Sequence, residues 1–168
     1  MGVTIHFEGK LKSETDYNNV IKIAKNFSNE NNLEFSEFEN ENVTLYRVKN
    51  ENDWDYIGST KGIKIIISEF ADPLLLEFDK DLYIQEYCKT QFATIDTHIV
   101  LVDFLESIEK CFEKLIVTDE GEYWETKNIE LLQEHFDNVF ELIEEAKMEN
   151  PKLDGPYRGE DERIIDLM

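Results

Sequence analysis

Residues 61–68 read Lys-Gly-Ile-Lys-Ile-Ile-Ile-Ser, and this run of β-branched side chains decides the fold class. Isoleucine packs well on a pleated surface, and a nearly continuous apolar run is typical of a strand that is covered on both faces. We therefore predict a central strand at this position.

Several segments around this strand also predict strands. Residues 3–11, 33–38 and 43–48 alternate apolar and polar side chains, which is typical of strands with one buried face. Leu74–Phe78 follows Asp72-Pro73, a turn signal that also begins strands. The segments from 33 to 78 are short and closely spaced, so antiparallel pairing is favoured over helical crossovers.

Three segments have helical periodicity. Ser13, with Asp16 three residues later, predicts the cap of a first helix. A second helix begins at Thr94 or Asp96 and carries an apolar stripe that extends to Phe112 and Leu115. A third helix begins at Thr126 or Asn128 and ends before Pro151. Its predicted buried stripe is Ile129, Leu132, Phe136, Val139, Phe140 and Ile143.

The predicted architecture is an α+β fold. A short strand at residues 115–117 separates the second and third helices, whereas residues 79–97 have no clean period. The element order is then β-α-β-β-β-β-α-β-α, with a predominantly antiparallel sheet of about five to six strands and three helices. The length of 168 residues favours one domain. We predict a single α+β domain at residues 1–150 and a tail at 151–168, which Arg158 and Arg163 dock on the domain.

The net charge of −21, from 38 acidic and 17 basic residues, restricts the possible partners. Such a surface repels phosphate, so we expect no nucleic-acid partner, and it attracts a basic protein. No apolar run approaches the roughly 20 residues of a membrane span. The chain does not begin with a basic region followed by an apolar one, so we expect a cytoplasmic protein without a membrane partner.

The third helix carries an excess of acidic residues. Residues 119–149 contain eleven acids and two bases, and the acids recur at a spacing of four, as in Asp137, Glu141 and Glu145. Each such like-charge pair costs about 0.2–0.5 kcal/mol of helix stability. A docking face for a basic partner explains this cost, and an ordinary solvated face is the alternative.

Aromatic residues flanked by acids occur in two further segments, Asp53–Tyr56 and Glu120–Glu125. Tryptophan and tyrosine are enriched at the energetic centres of interfaces, although both tryptophans could instead close the ends of the core. Together with the helix, these segments define the predicted interaction face: Trp54, Asp55, Tyr56, Glu122, Tyr123, Trp124, Glu134, Asp137, Glu141 and Glu145.

Three functions fit these observations. The first is an interaction domain, such as an inhibitor or immunity-type protein that neutralises a basic protein by charge and shape. The second is a small-molecule binding domain with a pocket between sheet and helix, lined by Tyr83, Tyr87, Phe92 and Trp54. The third is an enzyme that uses Cys88 with His98. No spacing typical of a metal site or of a phosphate-binding loop is present, so we expect no metal and no cofactor.

Overall fold

The computed structural model describes residues 2–168, and its elements follow one another closely along the chain. In chain order they are β1 (Thr4–Leu11), α1 (Glu14–Glu30), β2 (Glu34–Leu45), β3 (Val48–Lys49), β4 (Asn52–Asp53), β5 (Tyr56–Ile66), β6 (Leu74–Phe78), β7 (Tyr83–Lys89), α2 (Ile95–Ile108), a 3-10 turn (Glu109–Cys111), β8 (Phe112–Asp119), α3 (Tyr123–Thr126), α4 (Ile129–Glu149), β9 (Tyr157–Arg158) and β10 (Ile164–Ile165).

The long strands form two antiparallel three-stranded sheets, in the orders β7-β1-β8 and β2-β5-β6. β6 and β7 join the sheets as a hairpin that is hydrogen-bonded at its two ends. The Asp79 N–H donates to the Tyr83 carbonyl oxygen at 3.0 Å, and the Asp72 N–H donates to the Lys89 carbonyl oxygen at 2.9 Å. This architecture confirms the predicted α+β class with antiparallel pairing.

One face of the β7-β1-β8 sheet is buried against the helices. In the other sheet β5 and β6 contribute to the core, whereas β2 has no buried residue, although residues 33–38 and 43–48 were predicted to have one buried face. On β1, Ile5, Phe7 and Leu11 are buried and alternate with exposed or half-exposed residues. α1 contributes Val20 and Ala24 to the same core. The Ser13 side chain accepts the Asp16 N–H at 3.2 Å, which confirms the predicted cap of α1.

The predicted element order fits the long elements, but two strand boundaries differ. Residues 33–38 and 43–48 belong largely to one strand, β2, which continues through an irregularity between Asn40 and Val43. β7 was not predicted. Its inward positions include Glu86 between Ile84 and Cys88, and this largely buried carboxyl, 12% exposed, interrupts the apolar alternation.

The second and third helices also differ in detail from their predictions. α2 begins after its Thr94 cap and ends at Ile108, so Phe112 and Leu115 lie in β8 rather than on the helix. Both side chains are nevertheless buried, because they lie at inward positions of β8. In α4, which Asn128 caps, Ile129 is 51% and Phe140 45% exposed, although both were predicted to be buried.

Gly62, within the stretch that decides the fold, permits a close approach of β5 and β6. A Cβ atom at this position would lie 1.7 Å from the Leu76 carbonyl oxygen and 3.1 Å from the Phe38 ring. No side chain fits there without displacement of the backbone. Glycine is therefore required at this site by packing.

The C-terminal residues 151–168 contact the sheets through charged groups. Arg163 Nη2 donates to Glu86 Oε2 at 2.8 Å, and the two side chains are 17% and 12% exposed. The Ile164 N–H donates to Oδ1 of the buried Asp72 at 2.7 Å.

Arg158 extends these tail contacts by donating to the carbonyl oxygens of Glu69 and Ala71. β9 and β10 pair as a short antiparallel hairpin that holds both arginines. Along residues 2–168, none of the helices combines the length and the apolar content needed to cross a membrane.

Candidate interaction site

α4 presents acidic side chains that have no basic partner. Within residues 2–168, none of its carboxylates lies within 4 Å of a basic group of another residue, and Asp137 alone accepts a side-chain hydrogen bond, from Gln133 Nε2 at 2.9 Å. All of these acids are exposed. They are Glu130, Glu134, Asp137, Glu141, Glu144, Glu145 and Glu149.

A cleft of about 590 Å³ lies between α4 and the adjoining ends of β1 and β8. Glu141 and Glu145 line it from the helix, and Glu120 lines it from the segment after β8. Val139 and Leu142 contribute apolar surface to the same cleft. We call this cleft, with the exposed acids of α4, the α4 acidic face.

The predicted residues that precede α4 divide between this face and the core. Glu122 is exposed, and its Oε2 lies 2.6 Å from His135 Nε2 of α4. Tyr123 is only 8% exposed, and Trp124 packs half-buried against the same core. Tyr123 and Trp124 therefore pack α3 onto the core, which is the alternative that the sequence left open for Trp124. Glu122 borders the acidic face.

Trp54, Asp55 and Tyr56 lie elsewhere, around the buried side chain of Arg47. The Arg47 guanidinium carbon is 5.7 Å from the centre of the Trp54 ring and 5.3 Å from that of Tyr56. Asp55 Oδ1 accepts the Arg47 N–H at 3.3 Å. Among the described residues, none of the hydrogen bonds or ring contacts of this cluster reaches α4, so the ten predicted residues form two separate groups.

Arg47 is a structural residue that the sequence interpretation missed. Its Nη1 donates to Asp79 Oδ2 at 2.9 Å, and the two side chains are 3% and 6% exposed. Asp79 also accepts the Tyr83 N–H at 3.0 Å, so the pair anchors the end of β2 to the β6–β7 turn. The available signal was that Arg47 is the chain's only arginine before the tail.

His98 occupies a second buried polar cluster, between Thr90 and Asp119. Its Nδ1 lies 2.7 Å from Thr90 Oγ1, and its Nε2 lies 3.1 Å from Asp119 Oδ2. Thr90 Oγ1 is also 3.1 Å from the Val3 carbonyl oxygen. The Thr90 hydroxyl has only one proton to donate. If it donates to the Val3 carbonyl oxygen, Nδ1 of His98 must donate to Thr90 while Nε2 donates to Asp119, and the ring is doubly protonated. If it donates to Nδ1, the ring is neutral.

The position of Asp119 favours its charged form. Burial by itself would raise the pKa of this carboxyl, but the hydrogen bond and the charge of His98, together with backbone hydrogen bonds from Trp124 and Gly121, lower it. The N–H groups of Gly121, Tyr123 and Trp124 also donate to Asp119, at 2.7–2.9 Å. Asp119 thereby holds the start of α3.

Cys88 and His98 are not arranged as a nucleophile and its base. The Cys88 thiol is fully buried and donates to the Asp72 carbonyl oxygen at 3.4 Å, while both ring nitrogens of His98 have other partners. Burial raises the pKa of Cys88, which disfavours the reactive thiolate. In residues 2–168, no group of three or more histidine, cysteine or acidic side chains could hold a metal ion.

The four aromatic residues predicted to line a small-molecule pocket are also divided. Tyr87 lines a cleft of about 610 Å³ on the outer face of β7-β1-β8, and Tyr83 and Trp54 line a neighbouring cleft of about 420 Å³. Phe92 packs instead near Phe140 of α4, with ring centres 6.3 Å apart.

Comparison of this α+β chain with protein-family models, with curated proteins and with solved structures found no match in any of the three.

Proposed function

We propose that this protein is a cytoplasmic interaction domain that binds, and thereby neutralises, a basic protein, as an inhibitor or immunity-type partner does. The α4 acidic face is the proposed contact surface. The observation that carries this proposal is that Glu141 and Glu145 line one cleft with Glu120, while neither α4 glutamate has a basic partner within the described residues.

The chemistry of the cleft fits a lysine or arginine side chain. Glu141 and Glu145 offer unpartnered carboxylates to a cationic head, and Glu120, whose Oε2 already accepts the Thr4 N–H at 2.9 Å, adds negative charge. Val139 and Leu142 offer apolar surface to the aliphatic stem. Phe140, Leu142 and Met148 add exposed apolar area on the same helix, at 45%, 39% and 78% exposure. These residues do not form one patch, because at 100° per residue Phe140 and Leu142 lie on opposite flanks of the acidic stripe. Acids beside exposed apolar side chains suit a basic interface with apolar anchors.

The test compares a variant in which acids of this face are neutralised with a control variant in which the same number of acids is neutralised elsewhere. One variant carries Glu134→Gln, Asp137→Asn, Glu141→Gln and Glu145→Gln. The matched control carries Glu30→Gln, Glu39→Gln, Glu41→Gln and Glu51→Gln, four exposed acids outside α4 that form no ion pair. Both variants have the same net charge.

Each protein is used as bait in low-salt extracts of its own cells, and the bound basic protein is then purified and titrated. We expect wild type and control to bind it with similar affinity and the α4 variant to bind at least about tenfold more weakly. Binding should also weaken as salt rises. Equal affinity for the two variants, or recovery of no basic protein by wild type, contradicts the proposal.

A further inference from the structure

The outer face of the β7-β1-β8 sheet carries side chains that alternate with the core residues along each strand and do not pack in the core. The strand register places His6 between Tyr87 and Thr118, Glu8 between Gln85 and Ile116, and Lys10 between Tyr83 and Lys114. Ile116 is 46% exposed and Tyr87 is 40% exposed, so part of this face is open to solvent.

The segment that contains β3 and β4 forms one wall over this face. The Val48 N–H donates to Gln85 Oε1 at 2.9 Å, and Gln85 Nε2 donates to the Val48 carbonyl oxygen at 2.8 Å. Trp54 packs on Tyr83 with ring centres 5.1 Å apart. The two clefts of about 610 and 420 Å³ share Glu8, Val48 and Ile116, so we describe them together as the outer-face groove.

One end of the outer-face groove collects positive charge in a protein whose net charge is −21. Lys10, Lys49 and Lys114 line the smaller cleft, and none of them forms an ion pair within residues 2–168. Lys10 and Lys114 are directly opposite each other on neighbouring strands. Like charges directly opposite each other on neighbouring strands are destabilising. The chain has more than twice as many acids as bases, yet no acid among the described residues pairs with these two lysines.

The acids of this end do not neutralise the lysines directly. Glu8 accepts hydrogen bonds from Tyr83 Oη at 2.6 Å and from Gln85 Nε2 at 3.0 Å. Glu113 is exposed at the rim of the cleft and forms no ion pair with a described residue. Lys49 Nζ lies 4.9 Å from the centre of the Trp54 ring, which holds its charge beside the groove.

We propose that the outer-face groove binds a small organic anion with an aromatic or apolar body. The acidic head contacts Lys10 and Lys114, and the body lies over Ile116 and Val48, where the groove is apolar. Each of the two clefts, at about 610 and 420 Å³, has the size of a small-molecule site, and such sites pair an apolar lining with a few convergent polar groups. This site is independent of the α4 acidic face, which recruits a cation.

Phenyl phosphate is the probe, followed by amide ¹H–¹⁵N spectra of the full chain. We expect saturable shifts confined to β1, β7, β8 and residues 48–54. The double variant Lys10→Gln/Lys114→Gln should bind about tenfold more weakly, because two charge-assisted contacts are lost. Inorganic phosphate, which lacks the aromatic body, should bind more weakly than phenyl phosphate.

Lys22→Gln is the control, since Lys22 is exposed on α1, lies outside the groove and forms no ion pair. It should leave the affinity for phenyl phosphate unchanged. Far-ultraviolet circular dichroism confirms that each variant is folded, as expected for exposed side chains. Shifts scattered over the surface, no saturation at millimolar phenyl phosphate, or equal affinity in the double variant and the control would each overturn the proposal.

Discussion

Nε2 of His98 lies 3.1 Å from Oδ2 of Asp119, and neither side chain is exposed to solvent. The pair joins the start of α2 to the end of β8, and the backbone N–H groups that Asp119 also accepts extend the contact to α3. Loss of one member of such a pair is destabilising mainly because the other member is left buried without a hydrogen-bond partner.

Asp119→Asn should therefore lower the free energy of unfolding by about 3–5 kcal/mol, the usual cost when one member of a buried pair is lost. Denaturant unfolding measures the change. The control is Glu122→Gln, which removes the exposed contact with His135 and should cost less than about 1 kcal/mol. Similar losses in the two variants would show that burial does not strengthen the His98–Asp119 contact.

Glu86 should make stability depend on pH. Burial raises the pKa of this carboxyl to about 7 from an ordinary value of 4.5, and the attraction of Arg163 offsets only part of that effect. The folded state then binds more protons than the unfolded state between these values, so the free energy of unfolding falls as pH rises from 4.5 to 7. The total loss is about 3 kcal/mol.

The measurement is denaturant unfolding of wild type and Glu86→Gln at several pH values in this window. The amide cannot titrate, so the difference between the two proteins isolates Glu86 from the other carboxyls. We expect the stability of wild type relative to the variant to decrease toward pH 7. Parallel pH profiles would mean that Glu86 is already ionised at the lower end of the window.

Gly62→Ala should destabilise the protein by about 1–3 kcal/mol, because the added Cβ meets the Leu76 carbonyl oxygen and β5 must move away from β6. Thermal unfolding measures the loss as a lower Tm. Gly159→Ala is a comparison in the tail, where the added Cβ would meet the end of the Asp161 side chain, which can move. A larger loss at Gly159 than at Gly62 would contradict this assignment.

Glu141→Gln should raise stability slightly. The substitution removes the like-charge pairs of Glu141 with Asp137 and Glu145, each worth about 0.2–0.5 kcal/mol. Thermal unfolding at low salt measures the gain, which should shrink at high salt because the repulsion is screened. Glu41→Gln on β2, an exposed acid without an ion pair, is the control for the net charge. A loss of stability at Glu141 would show that this glutamate contributes to the fold.

The sequence by itself determined the α+β class, the three long helices, most of the long strands and the Ser13 cap. Strand and cap signals are local, since they depend on alternation over a few residues or on one side chain near a backbone N–H. The Ser13 cap could be predicted for this reason, and the Asn128 cap was one of two candidates for its helix. The acidity of α4 could also be predicted, because charges at helical spacing share a surface wherever the helix packs.

Only the tertiary structure decided which charges are buried and which surfaces meet. Glu86 lies at an inward position because Arg163, 77 residues away, reaches it, and no local pattern predicts a partner at that distance. The same holds for Arg47 with Asp79 and for His98 with Asp119. The lysines of the outer-face groove are likewise distant in sequence, and the strand register of β1 and β8 alone places Lys10 opposite Lys114.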